Sequence, residues 1–281
     1  AATMARRPAS CYISTMQTPI DPKSPEMRRR RFGTWPGRLL VPNVITLLAI
    51  CAGLTAIRLS TEGRMELAVA LIVFAAVLDG VDGRVARMIK GQSKFGAELD
   101  SLADFVNFGV APGLILYSWT LHDLNNAGWI AAMVFAISGG LRLARFNATM
   151  DDPNKPAFAA NFFTGVPAPA GAILVLLPIY LSFLGVPVPP VMLTTAYTLL
   201  IAFLMVSRLP VFSGKTVRLR VPPAMVLPVF VSVIFFVALL IGYPWHILSV
   251  GSVLYLLSLP WGWKAYRGHE RAAAALSATS P

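Results

Sequence analysis

The chain has few charged residues and almost no cysteine for its length. Only 13% of its 281 residues are charged, and 13 Asp and Glu stand against 24 Lys and Arg. Its two cysteines, Cys11 and Cys51, are too few for a disulfide framework or a cysteine-based metal cluster. Hydrophobic residues make up 56% of the chain, and its mean hydropathy is +0.65. A soluble core of this size cannot bury so much apolar surface, so the composition predicts an integral membrane protein.

The apolar residues occur in blocks of about 20 residues, the length that a helix needs to cross the ~30 Å hydrocarbon core of a bilayer. We therefore predict an all-α fold, a polytopic helical bundle with about eight transmembrane helices. The predicted spans are 39–59, 66–90, 95–120, 127–147, 165–185, 188–208, 222–242 and 245–264.

The basic residues lie in alternate connections between the predicted spans. Of the 24 Lys and Arg residues, all except Arg58 and Arg64 fall on one side of the predicted membrane. The positive-inside rule makes that side the cytoplasm, which predicts a cell (inner) membrane protein with both termini in the cytoplasm. The net charge of +11 is then explained by topology. No basic soluble domain is predicted, and we expect no nucleic-acid partner.

Four aspartates interrupt the second and third predicted spans, in "LDGVDGRVARMIKGQSKFGAELDSLADF" at 78–105. At 100° per residue, Asp79 and Asp82 share one face of a helix, and Asp100 and Asp104 share one face of the next. The connection "KGQS" is short enough to make the two helices antiparallel neighbours. Their acidic faces are therefore predicted to meet.

Such a cluster needs compensating charge, because each unpaired carboxylate costs roughly 2.5 kcal/mol or more to insert into a membrane. Only Arg84 and Arg87 are close in sequence. Oxygen ligands without nearby His or Cys select hard ions, so the cluster predicts Mg²⁺ or Mn²⁺, and four carboxylates suffice to bridge two ions. The alternative is an ion or proton pathway through a transporter.

Small residues stand beside the aspartates and leave space for a ligand to approach the carboxylates. The alternative is that they only allow close helix packing. These residues are Gly83, Ala86, Gly96 and Ala103.

The pattern Asp79-x2-Asp82-Gly83-x2-Ala86-Arg87-x8-Gly96-x3-Asp100-x3-Asp104 resembles the signature of the CDP-alcohol phosphatidyltransferase family at all eight fixed positions. Three further stretches resemble the bacterial and archaeal members of that family that use serine. They are "ELDSLADFVNFGVAP" at 98–112, "GGLRLARFN" at 139–147 and "FFTGVPAPAG" at 162–171.

The resemblance implies transfer of a phosphatidyl group from CDP-diacylglycerol to L-serine, with release of CMP, by a homodimer that also contacts membrane lipids. The same chemistry with glycerol 3-phosphate or inositol phosphate as acceptor is the alternative. In the implied site, Asp79, Asp82 and Asp100 bind two divalent metal ions, with Asp104 at their margin. We expect Asp104 to act as the general base as well.

The remaining expected site residues divide between the two substrates. Arg142 and Arg145 are candidates for the acceptor carboxylate, although both could instead anchor the membrane surface by snorkelling. Asn43 could instead mark the start of a helix. The residues expected at the nucleotide are Asn43, Gly83, Ala86, Arg87 and Gly96, and those expected at serine are Arg142, Arg145, Asn107 and Asn147.

The predicted organisation has four parts, with the boundary of the core taken from the resemblance. Residues 1–27 are a polar leader expected to be disordered, and residues 28–208 hold a juxtamembrane segment and a six-helix catalytic core. Two additional transmembrane helices at 209–264 and a cytoplasmic tail at 265–281 complete the chain.

Overall fold

The computed structural model describes residues 36–88, 93–150, 162–207, 210–212 and 225–260. The predicted leader and tail lie outside these residues. The helices are α1 (Pro36–Thr61), α2 (Met65–Met88), α3 (Lys94–Phe105), α4 (Ala111–Trp119), α5 (Asn126–Met150), α6 (Ala168–Val175), α7 (Leu177–Phe183), α8 (Val191–Val206), α9 (Val226–Gly242) and α10 (Pro244–Pro260). Two short strands are β1 (Phe162–Thr164) and β2 (Pro210–Phe212).

The helices and their exposed apolar side chains make this an all-α integral membrane protein. Three continuous helical stretches are long and apolar enough to cross a bilayer alone: Leu40–Thr61, Lys94–Trp119 and Asn126–Thr149. Helices α9 and α10 would form a fourth span if they are one broken helix, and they meet at an angle of 113°. Each predicted span overlaps helix in its described part, but the count of eight spans stays a prediction.

Proline positions coincide with the irregularities of two predicted spans, the π turn within span three and the division of span five into two helices. Pro112, Pro169 and Pro178 lie in the first turns of α4, α6 and α7, where the missing N–H is not needed for helical hydrogen bonding. Pro42 instead lies inside α1. The alternative that Pro42 and Asn43 mark the start of a helix is therefore wrong, and Asn43 is presented from within a helix.

The helix that carries Asp100 and Asp104 has a defined beginning and an unusual end. Ser93 adopts an extended conformation and its Oγ accepts a hydrogen bond from the N–H of Gly96 (2.9 Å), which caps α3. A π-helical turn at Val106–Val110 then joins α3 to α4. Such turns occur frequently at functional sites, and this one begins two residues after Asp104.

Small residues bring the π turn and α4 close to α5, whose own most extensive contacts are with α8. A Cβ atom on Gly113 would lie 3.0 Å from the carbonyl oxygen of Ala132, and one on Gly139 would lie 3.1 Å from Cα of Gly109. Larger side chains would separate the helices, as at other small-residue interfaces in membranes. The core around this contact includes Phe108, Phe135, Ile115, Leu116, Ile201, Met205 and Tyr180.

A small antiparallel ribbon pairs β1, which precedes α6, with β2, which follows α8. Thr164 lies opposite Pro210, and Phe162 lies opposite Phe212. The hydropathy pattern did not predict it. Gly165 follows β1 with a φ of +79°, and a Cβ there would lie 2.6 Å from the carbonyl oxygen of Met205. Both the left-handed conformation and the close approach require glycine at this position.

Candidate active site

The four aspartates converge as the sequence predicted. Oxygen atoms of Asp79 and Asp82 on α2 and of Asp100 on α3 all lie within 4.8 Å of one another. The carboxyl of Asp104 lies within hydrogen-bonding reach of that of Asp79. Residues 89–92 of the connection lie outside the described part of the chain, but the two acidic faces meet.

Among the described residues, no ion pair neutralises the negative charge of the four aspartates. The two ion pairs found among the described residues, Arg58–Glu62 (2.7 Å) and His122–Asp123 (3.3 Å), involve none of the four aspartates. Asp82 is only 3% exposed. Its Oδ1 and Oδ1 of Asp104 are buried without a hydrogen-bond partner among the same residues. Buried carboxylate oxygens of this kind suit a hard divalent cation, so the donor set fits Mg²⁺ or Mn²⁺.

A buried threonine on α1 holds one of these carboxylates. Thr46 Oγ1 donates a hydrogen bond to Oδ2 of Asp82 (2.8 Å) and lies 3.0 Å from the carbonyl oxygen of Pro42. This contact orients Asp82, because it occupies Oδ2 and leaves Oδ1 available. The sequence analysis missed Thr46. Its position three residues after Asn43, on the same face of α1, could have identified it as a site residue.

The residues expected at the nucleotide fall into two neighbouring groups. A Cβ on Gly96 would lie 2.9 Å from Oδ1 of Asn43, so glycine here lets the start of α3 lie against α1. A Cβ on Gly83 would meet only Nη1 of Arg87, at 3.7 Å, among the described residues. Arg87 is exposed and Ala86 is half-buried. The face of α2 beside the carboxylates is therefore open, as the small residues predicted.

Arg142 is a half-buried basic residue of α5. Its guanidinium is within electrostatic range of the Asp104 carboxyl, and it lies 5.6 Å from the centre of the Phe146 ring. Its Nε is buried and makes no hydrogen bond within the described part of the chain. Nearby, Asn147 Nδ2 donates to Oγ of Ser101 (3.0 Å). That contact brings Asn147 to the residue next to Asp100.

The other two residues expected at serine are engaged by different elements. Arg145 Nη1 donates to the carbonyl oxygen of Val206 (2.6 Å), which ties α5 to the end of α8. Asn107 is buried in the π turn and its Oδ1 abuts Gly53 of α1. Oδ1 of Asn107 makes no hydrogen bond among the described residues, and the assignment of Arg145 and Asn107 to the serine site stays a prediction.

The fold and the site together define an integral membrane protein with a carboxylate cluster that could hold a divalent metal, built where α1, α2, α3 and α5 meet. The family model for CDP-alcohol phosphatidyltransferase matches residues 39–209. A second model, CDP-alcohol phosphatidyltransferase 2, matches residues 224–260. The chain belongs to the CDP-alcohol phosphatidyltransferase family.

Three similar curated proteins share one name. A Mycobacterium leprae protein called CDP-diacylglycerol–serine O-phosphatidyltransferase is 42% identical over 79% of this chain and 73% of its own length. A Helicobacter pylori protein of the same name is 36% identical over 78% of this chain and 88% of its own length. A Mycobacterium tuberculosis protein, again of that name, is 53% identical over 48% of this chain and 46% of its own length.

Proposed function

We propose that this chain transfers the phosphatidyl group of CDP-diacylglycerol to L-serine, giving phosphatidylserine and CMP. The observation that carries the proposal is the convergence of the signature aspartates, three of which have carboxylate oxygens within 4.8 Å of one another. The names of the relatives supply the acceptor. A transporter would need acidic groups along a path across the membrane, whereas these four lie together.

The acidic cluster is proposed to hold the divalent ions. Asp79, Asp82 and Asp100 would bind them through the oxygens that lie within 4.8 Å of one another, with Asp104 at the margin. When bound, such ions hold the pyrophosphate and neutralise charge on the departing nucleotide. Thr46 would keep Asp82 in the orientation that binding needs.

Asp104 is proposed to be the general base. Its Oδ1 is buried and has no hydrogen-bond partner within the described ranges, so it can accept the proton of the acceptor hydroxyl. The serine oxygen then forms a bond to the phosphorus that carries the diacylglycerol oxygen. The bond from that phosphorus to the CMP oxygen breaks, and CMP leaves. Ser101 is a poor candidate for a covalent nucleophile, because its Oγ lies 3.1 Å from the carbonyl oxygen of Ala97 and accepts from Asn147.

The two substrates are proposed to approach from different helices. Asn43 and Gly96, which lie together, and the open face of Gly83, Ala86 and Arg87 would receive the nucleotide. Arg142 would bind the serine carboxylate, with Asn147 near its amino group. Arg145 and Asn107 are proposed to support this region through their contacts with α8 and α1.

Incubation of the full chain in membranes or nanodiscs with CDP-diacylglycerol, Mn²⁺ or Mg²⁺ and labelled serine tests the proposal. We expect labelled lipid and CMP in equal amounts, and loss of both when a chelator removes the metal. Turnover with glycerol 3-phosphate and none with serine would overturn the acceptor. Lipid-independent movement of ions across sealed vesicles would favour the transporter.

We also propose the arrangement expected from charge and resemblance. Residues 28–208 form a juxtamembrane segment and a six-helix catalytic core, and residues 209–264 add two transmembrane helices, which makes eight spans in all. The protein lies in the inner cell membrane with both termini in the cytoplasm. We propose that the chain forms a homodimer. Cysteine labelling from each side of the membrane tests the topology, and light scattering of the detergent-solubilised protein tests the dimer.

A further inference from the structure

The residue after Asp104 fits into a gap that two glycines leave open. The side chain of Phe105 is partly buried and packs against the core. A Cβ on Gly140 of α5 would lie 3.0 Å from Cε2 of the Phe105 ring, and a Cβ on Gly109 of the π turn would lie 3.3 Å from Cδ2. Both separations are shorter than the about 3.5–4.0 Å of an ordinary carbon–carbon contact. The ring therefore fits at this place because both residues are glycine.

The π turn brings Gly109 into this contact. The N–H of Ala111 donates to the carbonyl oxygen of Val106, which widens the turn by one residue relative to an α-helix. Gly109 also lies against α5, because a Cβ on it would be 3.3 Å from the carbonyl oxygen of Ala136. The edge of the Phe105 ring is thus held between the π turn and the backbone of α5.

The position of this ring determines the direction in which the carboxyl of Asp104 points. Asp104 and Phe105 are consecutive in a helix, so their side chains leave the axis about 100° apart and rotate together. The earlier part of α3 is held by other contacts, the Ser93 cap (2.9 Å) and the hydrogen bond from Asn147 to Ser101 (3.0 Å). The Phe105 ring fixes the rotation of the last turn of α3, which carries Asp104.

We propose that Phe105, held by Gly109 and Gly140, is a positioning residue for Asp104. The inference rests on the proposed function, in which Asp104 takes the proton of the acceptor hydroxyl. A general base must lie within hydrogen-bonding distance of that proton, and a misplacement of about 1 Å can lower a rate about 10²-fold. The packing of an apolar ring on α5 therefore limits the rate of a proton transfer at the neighbouring residue.

The test replaces Gly140 by alanine and measures CMP release in nanodiscs with saturating Mn²⁺. The added Cβ would lie 3.0 Å from the ring, so the ring must move by roughly 0.5–1 Å to reach an ordinary contact. We expect kcat to fall by about 10–100-fold, while the KM values for CDP-diacylglycerol and L-serine change by less than about twofold. The Mn²⁺ concentration that raises the thermal midpoint should stay at the wild-type value, because the earlier turns of α3 keep their contacts.

Gly113→Ala is the matched control for packing. A Cβ on Gly113 would also lie 3.0 Å from an atom of α5, the carbonyl oxygen of Ala132, but it belongs to α4, beyond the π turn. The control should lower the thermal midpoint, as overpacking does, and keep the wild-type kcat at temperatures below that midpoint. It separates a loss of stability from a displaced Asp104.

Phe105→Leu supplies an independent test that does not depend on the folding of Gly140→Ala. Without the ring, the last turn of α3 is less constrained, and kcat should fall with both KM values preserved. In the Phe105→Leu background, Gly140→Ala should cost no further kcat, because the methyl group then has space.

Three results would overturn the positioning role of Phe105. They are equal losses of kcat in Gly140→Ala and Gly113→Ala, a wild-type kcat in Phe105→Leu, and additive losses in the double variant. A wild-type chain that is inactive with serine would instead overturn the proposed function.

Discussion

Replacement of Thr46 by valine tests whether the acidic cluster acts as a metal site. Valine has nearly the same shape as threonine but no hydroxyl, so the substitution deletes the 2.8 Å hydrogen bond to Oδ2 of Asp82 and preserves packing. Thr46 is 4% exposed and Asp82 is 3% exposed, so water cannot replace the lost donor. The contact of Thr46 with the Pro42 carbonyl is also lost, but that carbonyl lies inside α1 and can accept a helical N–H.

The size of the effect follows from the charge and burial of the acceptor. A hydrogen bond to a charged group contributes about 1.5–3 kcal/mol, and ten-fold in an equilibrium constant corresponds to about 1.4 kcal/mol. Part of that energy holds Asp82 in position for a bound ion. Loss of a group that orients a metal ligand typically lowers metal affinity by about 10–100-fold. We expect the Mn²⁺ concentration for half-maximal activity to rise by this factor in Thr46→Val.

The assay measures CMP release at increasing Mn²⁺ concentrations. A parallel experiment measures the thermal midpoint over the same Mn²⁺ concentrations and reports metal binding without turnover. Thr46→Ser keeps the hydroxyl and should stay close to wild type. Thr55→Val is the matched control on the same helix, because the Thr55 hydroxyl bonds only to the Cys51 carbonyl (2.6 Å) among the described residues. If Thr46→Val responds to Mn²⁺ at the wild-type concentration in both titrations, Thr46 does not position a metal ligand.

Three further substitutions, one of them paired with a control, test the base and the packing. Asp104→Asn should lower kcat by about 10²–10⁴-fold with the thermal midpoint preserved, and a near-normal rate would refute its role as base. Gly53→Ala should destabilise the chain by about 1–3 kcal/mol, because the added methyl overlaps Oδ1 of Asn107. Gly251→Ala, where a Cβ meets nothing within 4 Å in the described structure, should not, and equal midpoints for these two variants would contradict the overlap. Gly165→Ala should lower the midpoint because φ is +79° there, and a midpoint at or above wild type would show that the turn tolerates a side chain.

The sequence predicted the helical regions because hydropathy over about 20 residues is a local property. It did not predict the π turn within span three or the division of span five into two helices. Span five is divided where Pro178 lies in the first turn of α7, and the π turn at Val106–Val110 packs closely against α5. Close approach is set by small residues such as Gly109 and Gly139 on different helices, and helical spacing alone does not show which small residues will meet.

By itself the sequence determined that this is a membrane protein with two acidic helix faces, because both follow from composition and from spacing at three and four residues along one helix. Only the tertiary structure decided what surrounds those faces. Thr46 reaches Asp82 across 36 residues of sequence, and Arg145 reaches Val206 across 61. No local pattern encodes such contacts, because they exist only once separate helices pack and their buried polar groups must find partners through space.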